Sequence, residues 1–466
     1  MPGLAAANDC IKCRSMVGNA ILNVASEGSD LGHPPFGGVG IALPHLTRIG
    51  CIYLDYNATT PIFPEVAREM APFLYEHFGN PSSGHTYGRA CKAAVDTARR
   101  RVASLISAQD PAEVHFTACG TESDNWAIYG AVMAARQRQR QAGGASSSSS
   151  YSPSAPPHVV TSAVEHPAVL VHLEHLQQQG LLTYTAVPVD GEGLVSPSDV
   201  AAAVTPATVL VTIMHSNNEV GAVQPIADIA DAARAAAAAV GGSDGGGGLL
   251  VHTDAAQSTG KVELEVGSLR VDAMTLVGHK FGAPKGVAAL YVRRGVQLAN
   301  YFYGGGQEGG RRAGTENVMQ VVGLGAAAEL AEAEGPALRS HMAAMAQRLL
   351  AAVLRGVRPE DRDKLRLNGP SDASRRLPNT LSLSIRGLNS PLALQRLSEQ
   401  LAASAGAACH SGDAQSVSAV LRAMKVPVEY AAGTLRLSTG RHTTPQEVDR
   451  AAELILAEAR RQGALG

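Results

Sequence analysis

No surplus of charge of either sign marks this chain: 39 lysine and arginine residues stand against 41 aspartate and glutamate residues. That balance removes the electrostatic footprint by which proteins hold nucleic acid or an anionic membrane. Long apolar runs are also missing, and none reaches the roughly 18 residues that cross a bilayer. No nucleic acid and no membrane partner is expected, and the cytoplasm is the expected compartment. Cysteine is sparse. Cys10, Cys13, Cys51, Cys91, Cys119 and Cys409 are scattered over 466 residues, the pattern of reduced thiols rather than of a disulfide framework. Cys10 and Cys13 form a CIKC pair, but no second pair or close histidine pair completes a zinc set, so no metal is expected. There is no internal repeat. Residues 1–50 lack the charged-then-apolar order of a signal peptide and are thinly basic for a transit peptide. They are expected to form a poorly ordered extension, with organelle import left open.

What is present has a clear order. Two low-complexity stretches, RQRQAGGASSSSSYSPSAPP over residues 138–157 and VGGSDGGGG over residues 240–248, cannot bury enough apolar surface to order themselves. Each precedes a short apolar run, so both are expected on loops that lead into strands. Strand-like runs begin near Val114, Val159, Val209, Leu249 and Ala288, and helix-like segments alternate with them. In one such segment Trp126, Tyr129 and Met133 share a helical face; another is alanine-rich and starts at Pro225. The alternation predicts an α/β fold with a mostly parallel sheet covered on both faces. After about Leu324 come a long helix, strands near Leu381 and a closing helix, which predict a second, smaller α+β domain. The boundaries drawn are a large domain over residues 66–335 and a small one built from 51–65 with 336–466.

Ligands of open α/β sheets lie beyond the carboxyl ends of the strands, and the residues there carry the chemistry. Lys280, in VGHKFGAPKG, lies beside His279 and an aromatic residue; a lysine in a partly apolar setting loses proton affinity and can form a Schiff base. Taken alone, a lysine in such a stretch is ordinarily a surface charge, and it is the partners of Lys280 that shift the reading. Asp254 closes a very apolar strand, where a carboxylate calls for a cation such as a pyridinium nitrogen, or else caps a helix. Gly120 and Thr121, in ACGTESDN, open the Trp126 helix, whose free amides suit a phosphate; a plain capping box of Thr121 with Asp124 is the other reading. GGGQEG (residues 304–309) matches the dinucleotide pattern literally but lacks the helix and second strand that would support it. Arg436 and Arg441, in TLRLSTGRHTT, suit a carboxylate or a surface ion pair. Cys409 sits with His410 in SAGAACHSG, between small residues that leave the backbone free to move.

From about Tyr53 to Leu454 the chain resembles the class V aminotransferase-fold cysteine desulfurases of the NifS type, the selenocysteine lyase branch above all. The resemblance runs in order through YLDYNATTP, HFGNPSSGH, GTESDN, VEHPAVL, NNEVG, VHTDAAQ, GHK, GGGQE, RAGTEN, RLPNT, GAACHSG and RLSTGR. It implies the pyridoxal-phosphate-dependent transferase fold type I, with a mostly parallel seven-stranded sheet in a large domain plus a small α+β domain. It also implies that Lys280 carries pyridoxal 5'-phosphate, that Asp254 pairs with the ring nitrogen and Gln257 with the ring hydroxyl, and that His166 stacks on the ring. Asn218 would lie near ring oxygen and substrate. Gly120, Thr121 and His279 would bind the phosphate, with Thr315 from the other subunit of a homodimer. Arg436 would clamp the substrate carboxylate, and Cys409 would act at selenium or sulfur.

Within the family, Val277 in VGHK, GAACHS and the two inserts resemble selenocysteine lyase, whereas Pro167 after His166 and GAPKG resemble NifS. The activity implied is selenocysteine lyase: L-selenocysteine to L-alanine and selenide or selenium. The alternatives are a cysteine desulfurase acting on L-cysteine, which passes a persulfide to an acceptor protein, and a catalytically silent scaffold.

Overall fold

The computed structural model describes residues 50–143, 155–241, 248–406 and 417–466. The expected N-terminal extension, the CIKC pair, Cys409 and His410 lie outside these residues, as does most of each low-complexity insert.

Short apolar runs bounded by turn residues form the strands. In chain order they are β1 (Ile52–Tyr53), β2 (Val114–Thr117), β3 (His158–Ser162), β4 (Thr183–Val187), β5 (Thr208–Thr212), β6 (Leu250–Asp254) and β7 (Ala273–Val277). β8 (Ala288–Val292), β9 (Leu365–Asn368), β10 (Thr380–Ile385), β11 (Leu401–Ala402), β12 (Ser404–Ala405) and β13 (Thr434–Ser438) follow. Seven of them make one sheet in the order β2-β8-β7-β6-β5-β3-β4. All neighbours in it are parallel except those of β8, which runs against both β2 and β7. Strands β2, β3, β7 and β8 are buried at every position, as a sheet covered on both faces requires. A second, antiparallel sheet has the order β12-β13-β10-β9, and β1 pairs with β11 in a parallel ribbon. The mostly parallel α/β architecture is the one the alternating pattern predicts.

Helical boundaries depart from the sequence reading in two places. Arg138 to Gly143, expected at the start of a loop, continue the helix Gly120–Gly143. Arginine, glutamine and alanine are strong helix formers, and they extend a helix that the Trp126 face already anchors. Trp126 is buried and its indole donates to the Ala299 carbonyl at 3.1 Å. The long helix begins at Val318 rather than near Leu324 and runs to Gly356, with Pro336 inside it. Its first half packs Val321, Leu324 and Ala327 into the core of the large sheet; its second half packs Met345, Leu349 and Val353 into the core of the antiparallel sheet. No helix among the described residues is long and apolar enough to cross a membrane.

The GGGQEG segment is a structural tie, not a dinucleotide loop. Glu308 takes a left-handed backbone (φ 50°) and turns its carboxylate inward. There it accepts both Arg99 guanidinium nitrogens at 2.7 Å and the Phe116 amide at 3.0 Å. Arg99 in turn lies over the Phe116 ring at 4.7 Å. Only 3% of the Glu308 side chain is exposed, so removing it strands a buried guanidinium. Glu308→Ala is expected to destabilise the protein by about 3–5 kcal/mol, and Arg99→Ala/Glu308→Ala by less than the sum of the single changes. Urea unfolding of the three variants checks this.

Candidate active site

Strands β2, β3, β5, β6 and β7 all point their carboxyl ends to one edge of the large sheet. The segments leaving that edge carry Gly120 and Thr121, His166, Asn218, Asp254 and Gln257, and His279 with Lys280. Across the edge runs a strap, Asn57–Phe63, which follows the β1 ribbon. Thr60 N donates to His279 O at 2.8 Å, Gly282 N to Thr60 Oγ1 at 2.8 Å, and Phe63 N to Gly282 O at 3.0 Å. Gly282 has φ 96°, and a Cβ there would stand 2.3 Å from the Phe63 ring, so the turn after Lys280 admits glycine alone.

Lys280 is held by this strap. Its amine donates to the carbonyls of Asn57 and Ala58, each at 2.9 Å, and makes no ion pair among the described residues. Burial pushes its ammonium from the ordinary lysine range down to about 8, and the Arg436 charge adds to that; Asp254 and Asp55 pull the other way. A primary amine partly unprotonated at neutral pH and set on a short 3-10 turn is a nucleophile. Gln257 belongs to the same cluster: its Nε2 donates to Asn57 O at 2.9 Å.

Asp254 ends β6 and is 7% exposed. Burial raises its carboxyl, while the Ala256 amide, His166 and Lys280 lower it. Its Oδ1 accepts from Ala256 N at 2.8 Å in a local turn, but no helix starts there, so the capping reading of the sequence does not hold. Among the described residues Asp254 forms no ion pair with a basic side chain, which leaves its charge to be met by something else in the cleft. His166 caps the helix Pro167–Gln178 and accepts from Ala168 N through Nδ1 at 3.1 Å. Burial against the surrounding protein lowers its pKa, so the ring, on a residue still exposed, favours its neutral form. Two further acids are buried here: Asp124, read from the sequence only as a capping partner, and Glu165, not singled out by it. Asp124 is fully buried, driven well above the usual carboxyl range by burial and by Asp254, and its Oδ1 has no hydrogen-bond partner. Glu165 is pushed up to about 8 by burial and accepts from Ser162 Oγ and Met214 N.

The helix Gly120–Gly143 opens at Gly120, so Thr121 lies in its first turn, exposed, and is not the N-cap of a capping box; Asp124 is buried instead of reaching back. A Cβ on Gly120 would stand 2.6 Å from Val277 Cγ2, so this helix start is set by contact with the end of β7. His279 pairs through Nδ1 with Thr59 Oγ1 at 3.1 Å, and burial, with Lys280 close by, lowers it to about 4: a neutral hydrogen-bonding group. Thr315 is exposed and lines a groove with Phe116, Thr117, Gly286, Glu308 and Arg312, without a hydrogen bond to the Lys280 cluster.

Arg436, on β13, reaches the cleft from the antiparallel sheet. It donates to Asp55 Oδ1 and Ser404 Oγ at 2.8 Å and to Asn218 O at 3.2 Å. Its Nε is buried without a partner. Arg441, its neighbour in the motif, is spent on Glu65 and Glu334 and stays structural. The sequence reading also missed Asn57, whose amide binds Thr380 and Asn379 while its carbonyl accepts from Lys280 and Gln257. The YLDYNATTP motif contains it, but an asparagine in a turn-like stretch carries no signal of its own.

The donor set fits pyridoxal phosphate on physical grounds: a depressed amine, a buried carboxylate awaiting a cation, a flat neutral ring and a long helix opening on the same edge. Comparison with known proteins agrees. The model of the aminotransferase class-V family matches residues 52–451. The chain is 42% identical over 412 residues to selenocysteine lyase of Bos taurus, covering 85% of this chain and 91% of that protein. It is 37% identical over 405 residues to cysteine desulfurase IscS of Clostridium botulinum, covering 87% and 93%. A solved NifS-like protein superposes with a TM-score of 0.75 at 31% identity, covering 87% of this chain and 98% of the other. The chain therefore belongs to the class V aminotransferases, a family of pyridoxal-phosphate-dependent enzymes, in the company of cysteine desulfurases and selenocysteine lyase.

Proposed function

We propose that this enzyme is a selenocysteine lyase that converts L-selenocysteine to L-alanine and zero-valent selenium, which leaves as selenide when a thiol reductant supplies two electrons. The observation that carries the reading is the 42% identity to the bovine lyase over 85% of the chain. Val277 supports it, since two apolar methyl groups stand at the helix start where a serine would offer a hydroxyl. The second reading is a cysteine desulfurase that forms a persulfide on Cys409 for an acceptor protein; Pro167, at the first position of its helix, and the 37% identity to IscS favour it.

Pyridoxal phosphate, when bound, spreads the charge left by loss of the substrate's α-proton over its ring. Lys280 would hold it and then take that proton, for which an amine near 8 is suited. Asp254 would keep the ring nitrogen protonated, Gln257 would donate to the ring oxygen, and His166 would cover the ring face. Gly120, Thr121 and His279 would hold the phosphate, joined by Thr315 of the second copy in a homodimer. Arg436 would take the substrate carboxylate beside Asn218, in exchange for its present ties to Asp55 and Ser404. Cys409 would act at the departing atom: as proton donor, it supplies the proton taken up by Cβ, which keeps the Cβ–Se electron pair as zero-valent selenium leaves; as nucleophile, it takes up sulfur as a persulfide. An ordinary thiol, with a pKa of about 8.5, is mostly protonated at neutral pH and fits the first role without activation.

Two measurements test this. Alanine release from selenocysteine and from cysteine, in the wild type and in Cys409→Ala, separates the activities. The lyase reading expects selenocysteine to be strongly preferred; equal turnover of cysteine that disappears in the variant makes the protein a desulfurase. Loading of the apoprotein tests Lys280. Because the unprotonated amine is the attacking form, the rate at which bound pyridoxal phosphate absorbance develops is expected to rise about tenfold per pH unit below 7 and to level off above about 8. Lys280→Ala abolishes the covalent band, and a rate still climbing steeply at high pH overturns the assignment.

A further inference from the structure

Lys261 has no part in the chemistry above, yet it is a lysine 4% exposed in the turn that follows β6. Its amine has two partners among the described residues, Gln257 Oε1 at 3.0 Å and Asn57 Oδ1 at 3.3 Å. No carboxylate is bonded to it. Its side chain borders a narrow apolar cavity lined also by Phe63, Phe281, Leu330 and Met342. The ionisable groups facing it are Lys280, Arg436 and His279, while Glu334 and Arg441 on the same cavity wall pair with each other. Burial, then the Lys280 and Arg436 charges, drive its ammonium well below the ordinary lysine range. The geometry agrees: a neutral amine has two N–H donors for these two acceptors, whereas an ammonium would leave a third donor buried and unpaired.

A side-chain amide is ambiguous in orientation until its partners are known. Here they are. Asn57 O can only accept, so Gln257 turns Nε2 toward it at 2.9 Å with its second hydrogen left over, and Oε1 then faces the Lys261 amine, which donates to it at 3.0 Å. The same amine holds Asn57 Oδ1, and Asn57 carries the carbonyl to which Lys280 donates. We propose that Lys261 is a positioning residue of the cofactor site, which fixes the Gln257 amide and the Asn57 strap so that both present the correct atoms beside Lys280. The proposal rests on the reading of Lys280 and Gln257 as cofactor residues.

The test uses the full-length protein loaded with pyridoxal phosphate. Lys261→Met is expected to retain the cofactor about tenfold less tightly, the effect of one lost buried hydrogen bond. The pH at which its visible band changes is expected to move up by roughly half a unit to one unit, because a loosely held Gln257 stabilises the cofactor's ring oxygen less. Lys261→Gln, which keeps N–H donors, recovers part of both effects, and either change adds little in a Gln257→Leu background. The proposal is overturned if Lys261→Met folds with wild-type affinity and midpoint, or if its shift persists undiminished without Gln257. Should Lys261→Met fail to fold, the same comparison is made with Lys261→Gln. A visible band that survives in Lys280→Ala defeats the site assignment itself, which is a different failure.

Discussion

The structure depends on a strap of backbone, Asn57 to Phe63, laid across the open edge of a parallel sheet. Six strands, β2 to β7, end on that edge with their carbonyls and polar turns, and nothing in the sheet alone would hold the lysine turn at a fixed height. The strap does so with main-chain hydrogen bonds to His279 and Gly282 and with two carbonyls aimed at the Lys280 amine. At its other end it is continuous with β1, and Asn57 is tied by Ser438, Thr380 and Asn379 to the antiparallel sheet. One short segment thus sets the position of the reactive amine relative to Arg436, which arrives from that second sheet.

Around this amine the protein keeps most ionisable groups uncharged. His166, His215, His252 and His279 are all lowered by burial, and Asp124 and Glu165 are raised by it. Desolvation is the leading cause in each case, so the edge is a region of low dielectric in which any charge that is introduced acts strongly. Such surroundings favour a ligand that brings its own cation to Asp254 and its own anion to the helix start and Arg436.

Much of this was legible in the sequence, and the reasons differ by element. The strands were, because four or five apolar residues bounded by glycine, proline or polar turns leave few alternatives; their carboxyl-end positions then pointed to Lys280 and Asp254, and the family resemblance to His166. The capping box, the alternative reading at Thr121, does not form, because the pattern of hydroxyl and acid three residues apart says nothing of which way the acid faces. Asp124 turns inward since the helix meets β7 through Gly120 and Val277. The helix extension to Gly143 is hidden in the sequence because it runs into a low-complexity stretch, where the helix preference of arginine and glutamine does not stand out. Asn57 and Lys261 could not be found at all from spacing, as their importance lies in contacts across some two hundred residues of chain. Cys409, the residue on which the choice between selenium and sulfur turns, lies outside the described residues.

The helix Val318–Gly356 has a consequence for the molecule as a mechanical object. Its two halves are buried in two different cores, and the proline at 336 sits between them, where a main-chain donor is missing. A continuous shaft of this kind links the two cores, since each buries one half of the same helix. The same shaft has a single compliant joint. Any rocking of the antiparallel sheet toward the lysine edge would bend there first, leaving the packed halves on either side undisturbed.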